Sequence, residues 1–269
     1  MTFMEAIRHR RSVRSFDGAP LKAEDAQELL RFAAAVETPY AIPISWSLLD
    51  AKKHGLRSPV ITGESAYLAG KLQRLPHAEE AFGYAFETVL LYAEALGLGS
   101  TWIAGALNRG AFERAIGLAE GEVMPCVSPI GYPAAKMSLR ESLMRKGVNA
   151  DSRMDFSELF FDGSFEKPLT PERAHRFRIP LELVRLAPSA VNKQPWRALV
   201  RENKVHFYEK RSKGYLSADG WDLQKIDLGI ALAHFALAAK EQGLACAFSL
   251  EDPALPNPDG LVYIATFML

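Results

Sequence analysis

The chain has 269 residues, of which 48% are apolar and 24% charged, and its formal net charge is zero. That length leaves room for one large domain or two small ones with a substantial core, and the composition is that of an ordinary globular protein. A balanced charge gives no ground for nucleic acid or an anionic membrane as the main partner. The two cysteines, Cys126 and Cys246, lie in apolar, strand-like surroundings. They read as buried small hydrophobes rather than a disulfide framework. The N-terminus turns basic at once and lacks an apolar signal core. The most apolar run, around 229–239, carries His234 and is too short to span a bilayer. The expected compartment is the cytoplasm.

In chain order, residues 1–9 predict a short helix with Phe3, Met4 and Ile7 on one face. An arginine cluster follows at 10–16. Pro20 and an acidic start at Glu24-Asp25 open a helix to about Val36, and 38–43, with two prolines, predicts a loop. Residues 45–49 predict a strand. The stretch 52–78 is interrupted by Gly55, Pro59, Gly63 and Gly70 and reads as irregular, a candidate lid. Residues 80–96 predict a long helix, with Phe82, Phe86, Val89, Leu90, Ala93 and Leu96 at helical spacing and Gly97 ending it. An extended piece at 101–104, a helix at 108–116 and a buried strand at 123–131 complete the first half.

The second half repeats this plan. Residues 16–46 and 165–196 both run Phe, Pro-Leu, an acidic helix start, a helix, a proline-containing loop and Trp. Gly83 to Leu98 matches Gly229 to Leu244 at a constant offset of 146, and 123–130 parallels 261–267 as a terminal strand. The shared landmarks, in one order, favour duplication over chance likeness of helix–loop–strand units. The expected architecture is α+β: one unit over 1–269, with internal repeats at about 10–135 and 160–269, packed as a pseudo-dimer around the long helices.

Two stretches carry candidate chemistry. One is Ala187-Pro188-Ser189-Ala190-Val191-Asn192-Lys193-Gln194-Pro195-Trp196, a loop of small and amide residues suited to hydrogen-bonding a polar planar ligand. The other is Arg10-Arg11-Ser12-Val13-Arg14-Ser15-Phe16. Alone, the first is equally a polar turn before a strand, and the second a solvated basic turn. The six histidines show no metal-ligand spacing, and neither a Gly-x-Ser-x-Gly elbow nor a Gly-x-Gly-x-x-Gly turn is present. His234, on an apolar helix, reads as a satisfied core histidine.

Together the two stretches resemble the two signatures of the FMN-dependent nitroreductase family. Thr101-Trp102-Ile103-Ala104-Gly105, Ile130-Gly131-Tyr132-Pro133, and Asp151-Ser152-Arg153 with Phe156-Ser157-Glu158-Leu159 fit its other landmarks. The resemblance implies that FMN lies between an arginine motif of one subunit and a Pro-Ser loop of the other. Here the first half keeps the arginines but has Glu37-Thr38-Pro39-Tyr40-Ala41 in place of the loop. The second keeps the loop but has Asp162-Gly163-Ser164-Phe165 in place of the arginines. The losses are complementary, so one composite FMN site per chain is expected. By the resemblance, Arg10, Arg11, Ser12 and Arg153 hold the phosphate, and Arg14 lies at the pyrimidine side. Ala104 and Gly105 approach the N5 edge, Pro188, Ser189 and Ala190 lie along the ring, and Asn192 and Gln194 hold the loop or the ligand. Trp196 reads as core, because Trp46 repeats it in the half without a ligand loop. NADH or NADPH is the implied reductant, and a nitroaromatic or quinone-like molecule the implied acceptor. A monomer would suffice, with a homodimer open. The alternative is a flavin-binding sensor or carrier with little turnover.

Overall fold

A computed structural model of the protein describes residues 1–147, 149, 152–216, 220–256, 258 and 260–269. Helix α1 (Phe3–His9) opens with a capping box, in which Thr2 accepts from the Glu5 amide and Glu5 reaches back to the Thr2 amide. The first half continues through α2 (Ala23–Ala34), β1 (Ser45–Asp50), β2 (Ala66–Gln73), α3 (Ala78–Ala95), β3 (Gly99–Ser100), α4 (Arg109–Ile116), β4 (Glu122–Val123) and β5 (Val127–Gly131). Then come α5 (Leu139–Gly147), α6 (Phe156–Leu159), β6 (Phe160–Asp162), α7 (Arg178–Arg185), β7 (Trp196–Arg201), β8 (Lys204–Lys210), α8 (Leu223–Glu241), β9 (Ala247–Ser249) and β10 (Leu261–Met268).

Among the described residues these strands form two separate sheets. One has the order β1-β2-β5-β3, with β4 also pairing with β2; the other has the order β6-β7-β8-β10-β9. All pairings are antiparallel except β6 with β7. Each sheet packs its own core. Trp196, Phe207, Phe235 and Phe267 belong to one, and Phe82, Phe86, Leu68 and Ile130 to the other. Between the halves lie α3 and α8, apolar around most of their circumference, as helices enclosed by protein are.

These two helices approach to backbone distance. A Cβ added to Gly83 would lie 2.1 Å from the Ile226 carbonyl oxygen, and one added to Gly229 would lie 2.1 Å from that of Glu80. The same offset of 146 that relates the two glycines relates Glu80 to Ile226, so the contact is repeated about a local two-fold relation. The architecture is thus two related α+β halves packed around long central helices.

Three details differ from the sequence reading. The stretch 52–78 is irregular only on either side of Ala66–Gln73, which is a strand inside the first sheet, paired on both sides. Gly70 misleads: it sits in that strand because the Trp46 ring covers it, and a Cβ there would lie 2.7 Å from the ring. A lid can therefore not extend over β2. The strand expected at 123–131 is two pieces, β4 and β5, with Pro125 between them. Cys126 is buried but Cys246 only half-buried, and both are free thiols. Trp196 is fully buried, and Trp46 stacks on Phe86. No helix among the described residues is long and apolar enough to cross a membrane.

Candidate functional site

The arginine motif leaves α1 as an extended ribbon along the first sheet. Ser12 pairs with Ser100, the Val13 amide donates to the Ser100 carbonyl at 2.9 Å, and the Thr62 amide donates to that of Arg14 at 3.0 Å. Val13 packs on Gly99, where a Cβ would come within 2.9 Å of its side chain. This pairing carries Ser12 and Arg14 alongside the segment leading to Ala104 and Gly105. The Ala104 carbonyl accepts from Arg109 at 2.8 Å, and Gly105 is exposed. Arg11 turns to α5, where its guanidinium meets the buried Glu141 at 3.1 Å.

Arg10 turns inward. Its side chain is 6% exposed, and its Nε lies 3.6 Å from Glu87 Oε1 on α3. Glu87 is fully buried. Trp102 Nε1 donates to its other oxygen at 2.7 Å, and His234 Nε2 on α8 lies 3.0 Å from Oε1. The second nitrogen of His234, Nδ1, donates to the Leu183 carbonyl of α7 at 2.9 Å. Burial alone would raise the Glu87 carboxyl, but the His234 hydrogen bond and the Arg10 charge outweigh it and hold it below its usual range. His234 is thus a satisfied core histidine. It is also one link in a chain from Arg10 through Glu87 to the helix that delivers the Pro-Ser loop.

That loop is held from several directions. Ser189 Oγ accepts from the Gln194 amide at 2.9 Å, and Gln194 Oε1 accepts from the Met154 amide at 3.0 Å. Asn192 Nδ2 donates to the carbonyls of Asn149 at 2.8 Å and Ser152 at 3.0 Å. Arg153 reaches Asn192 Oδ1 at 3.5 Å and the Leu186 carbonyl at 3.2 Å. The side chains of Asn192 and Gln194 therefore hold the loop. Pro188, Ser189 and Ala190 are half-buried. Three non-glycine residues, Val191 (φ 43°), Asn192 (φ 58°) and Gln194 (φ 49°), occupy the left-handed region, a strain tolerated where surrounding contacts over-determine the backbone. Finally, the Ala190 amide donates to both oxygens of Asp227 on α8, each at 3.1 Å.

A polar cavity of about 440 Å³ opens beside the loop, bounded by Ser152, Arg153, Asp155, Asn192 and Gln194. A larger one of about 660 Å³ lies elsewhere, against Phe32, Val36, Thr38, Thr88, Leu237 and Phe248. Size favours the second, but it contains none of the sequence-predicted site residues and is mostly apolar. The first is lined by Arg153 and Lys193, by the carboxylates of Asp155 and Glu158 and by the fixed amide side chains of the loop, the kind of polar groups that orient a ligand, and it is the candidate site. Asp151, which begins one of the quoted landmarks, lies outside the described residues. The structure runs Ser12 and Arg14 beside the segment leading to Ala104 and Gly105, and sends Arg10 to Glu87 and Arg11 to Glu141. It gathers Arg153, Pro188, Ser189, Ala190, Asn192 and Gln194 at the loop, and Glu87 and His234 link Arg10 to α7, the helix before that loop. Glu87 and Asp227 escaped the sequence reading, although a carboxylate inside an otherwise apolar helix is a readable signal.

Two related α+β halves around a shared helix pair, with a fixed Pro-Ser loop and an arginine ribbon, define the class as nitroreductase-like. The sequence profile of the family described as "Putative TM nitroreductase" matches residues 2–239, and the chain belongs to that family. A "putative nitroreductase" from Thermotoga maritima has the same fold over the full length: 19% identity, TM-score 0.66, 100% of this chain and 94% of that chain. A nitroreductase family protein from Clostridium difficile 630 (17% identity, TM-score 0.46) covers 59% of this chain and 96% of that chain. An FMN-dependent nitroreductase from Clostridium difficile R20291 (16% identity, TM-score 0.43) covers 49% of this chain and 88% of that chain. No curated protein sequence matches the chain.

Proposed function

We propose that the protein is an FMN-dependent oxidoreductase with one FMN per chain. It takes reducing equivalents from NADH or NADPH and delivers them to a small nitroaromatic or quinone-like acceptor. The observation that carries this reading is the complementary layout: the arginine ribbon survives only in the first half, the fixed Pro-Ser loop only in the second, and one buried network links Arg10 to the helix before that loop. The donor set fits the cofactor. Arg10 Nη1 is buried with no hydrogen-bond partner among the described residues, and a buried donor without an acceptor is costly unless a ligand supplies one.

FMN, when bound, supplies the hydride chemistry. The chain's own residues bind and orient it. Arg10, Arg11 and Arg153 offer guanidinium groups to a phosphate dianion, and Ser12 adds a hydroxyl. Arg14 would supply positive charge beside the bound flavin. Pro188, Ser189 and Ala190 would line its ring, and the backbone amides of Ala104 and Gly105 would be offered to it as donors. Asn192 and Gln194 keep the loop in shape. A site built from both halves of one chain needs no second copy, so we assign a monomer, working in the cytoplasm.

The test is an absorbance spectrum of the purified protein with the FMN-to-chain ratio. The expected ratio is one. A ratio of two would show that the altered loop at 37–46 still works. A colourless protein that takes up no added FMN would refute the proposal. NAD(P)H should then bleach the bound flavin, and a nitroaromatic or quinone should restore it. Flavin that NAD(P)H leaves oxidised would mark a carrier or sensor instead.

A further inference from the structure

We propose that Asp227 is a positioning residue for the Pro-Ser loop, setting the edge that meets the flavin through the Ala190 amide; this rests on the flavin reading above. Asp227 sits on α8 among apolar residues and is 4% exposed. A carboxyl in such a place is costly unless its oxygens are used. Both are used for one purpose: each lies 3.1 Å from the Ala190 amide nitrogen. Asp227 does not cap the helix, because Asp222 does that, accepting from the Gln224 amide at 3.0 Å. Burial pushes the Asp227 carboxyl well above the usual range, and the Ala190 amide works against that shift.

The place it grips is where the loop most needs an outside anchor. Ala190 directly precedes the left-handed pair Val191 and Asn192. A β-branched residue such as Val191 adopts that region only under constraint. The other ties come from within the loop or from the neighbouring segment: Ser189 to Gln194, Gln194 to Met154, Asn192 to Asn149 and Ser152. Among the described residues, Asp227 supplies the hydrogen bond that ties the start of the loop to the buried central helix α8. It also engages the Ala190 amide, which is then not offered to a ligand.

The repeat supplies an internal control. At the offset of 146, the counterpart of Asp227 on α3 is Ala81. The loop on that side keeps one left-handed residue, Ala41 (φ 53°), and has Ile42 and Ile44 where the other carries Asn192 and Gln194. The half that lost the Pro-Ser residues therefore also lacks the carboxyl anchor. Asp227 goes with the loop that binds, not with the fold that both halves share.

The experiment compares Asp227→Asn, Asp227→Leu and Asp227→Ala by FMN titration, by hydrogen exchange of the Ala190 amide in the cofactor-free protein, and by melting temperature. Asn keeps an acceptor oxygen in place and should bind FMN within about threefold of wild type, with Ala190 still protected. Leu fills the same volume without an acceptor. It should keep the protein folded yet weaken FMN binding roughly tenfold, the size of one lost anchoring hydrogen bond, and speed Ala190 exchange. Ala should do the same. Equal FMN affinity for Asp227→Leu and wild type overturns this inference and leaves the flavin reading intact. A wild-type protein that binds no FMN overturns the flavin reading; Ala190 exchange then decides alone whether the anchor exists, and unchanged exchange in Asp227→Leu removes it.

Discussion

The loops at 37–46 and 187–196 occupy matching places in the two halves, and only one is built to hold a shape. The second is tied by Ser189, Asn192, Gln194 and Asp227. The first is filled by an aromatic: the Tyr40 ring lies 5.6 Å from His77 and 5.2 Å from Phe248. The asymmetry extends into the central helices. Glu87, His234 and Trp102 form the buried network on one side, and their counterparts at the same offset are Ala233, Thr88 and Phe248. At these three positions one side carries a linked carboxylate, imidazole and indole, and the other carries Ala, Phe and a Thr whose hydroxyl donates to the Tyr84 carbonyl of its own helix. Matching positions in a repeated fold can thus carry different chemistry, and the helices between the halves record the difference as clearly as the loops do.

The strongest way to break this contrast is at Glu87. Glu87→Ala leaves Arg10 and His234 buried without their carboxylate. It should cost about 3–5 kcal/mol, the usual penalty for breaking a buried pair, as measured by urea unfolding at neutral pH. The pH dependence has a definite sign. The folded-state pKa of Glu87 is lowered, so its contribution is full above the ordinary glutamate value of about 4.3. That contribution fades as pH falls through the lowered folded value. The stability gap between wild type and Glu87→Ala should narrow in acid; a gap that is flat from neutral pH into acid would show that Glu87 is not held as a carboxylate.

The shared feature of the two halves should be nearly as sensitive. Gly229→Ala would place a Cβ 2.1 Å from the Glu80 carbonyl oxygen, which is backbone and cannot rotate away. The central helices would have to separate, at a cost of about 3 kcal/mol, the upper end for overpacking. Gly105→Ala meets nothing within 4 Å, and by thermal melting should fall within about 0.5 kcal/mol of wild type. Equal melting temperatures for the two variants would contradict the close helix crossing.

Much of this was legible in the sequence. Shared landmarks such as Phe-Pro-Leu and Gly-Leu exposed the repeat, helical spacing exposed α3, and two short motifs exposed the candidate site. What stayed hidden depends on tertiary contact. Gly70 looked like a break because nothing local announces that Trp46 will cover it. The inward turn of Arg10 depends on Glu87, which is 77 positions away in the chain and tied to His234 of the other half. Asp227 stands out as a carboxylate in an apolar helix, but its partner is a backbone amide, which no residue pattern marks.

Arg153→Ala tests the intact side of the comparison. Its guanidinium borders the polar cavity and also braces Asn192 and the Leu186 carbonyl. FMN affinity measured by fluorescence quenching should fall by about 1.5–3 kcal/mol, the range for a hydrogen bond to a charged group. An unchanged affinity would move the phosphate away from this cavity.

The smallest effect belongs to the filled side. The Tyr40 hydroxyl is buried and has no hydrogen-bond partner among the described residues, and burial pushes its pKa well up, with the Glu80 charge adding to the shift. A hydroxyl in that position costs desolvation and gains nothing in return. Tyr40→Phe removes it while keeping the ring between His77 and Phe248. The variant should be as stable as wild type or more stable, by up to about 1 kcal/mol, in a thermal melt. FMN affinity and the ratio of one FMN per chain should both be untouched. If Tyr40→Phe lowered the flavin content, the 37–46 loop would be taking part in binding, and the division into one working side and one filled side would fail at the residue on which it most depends.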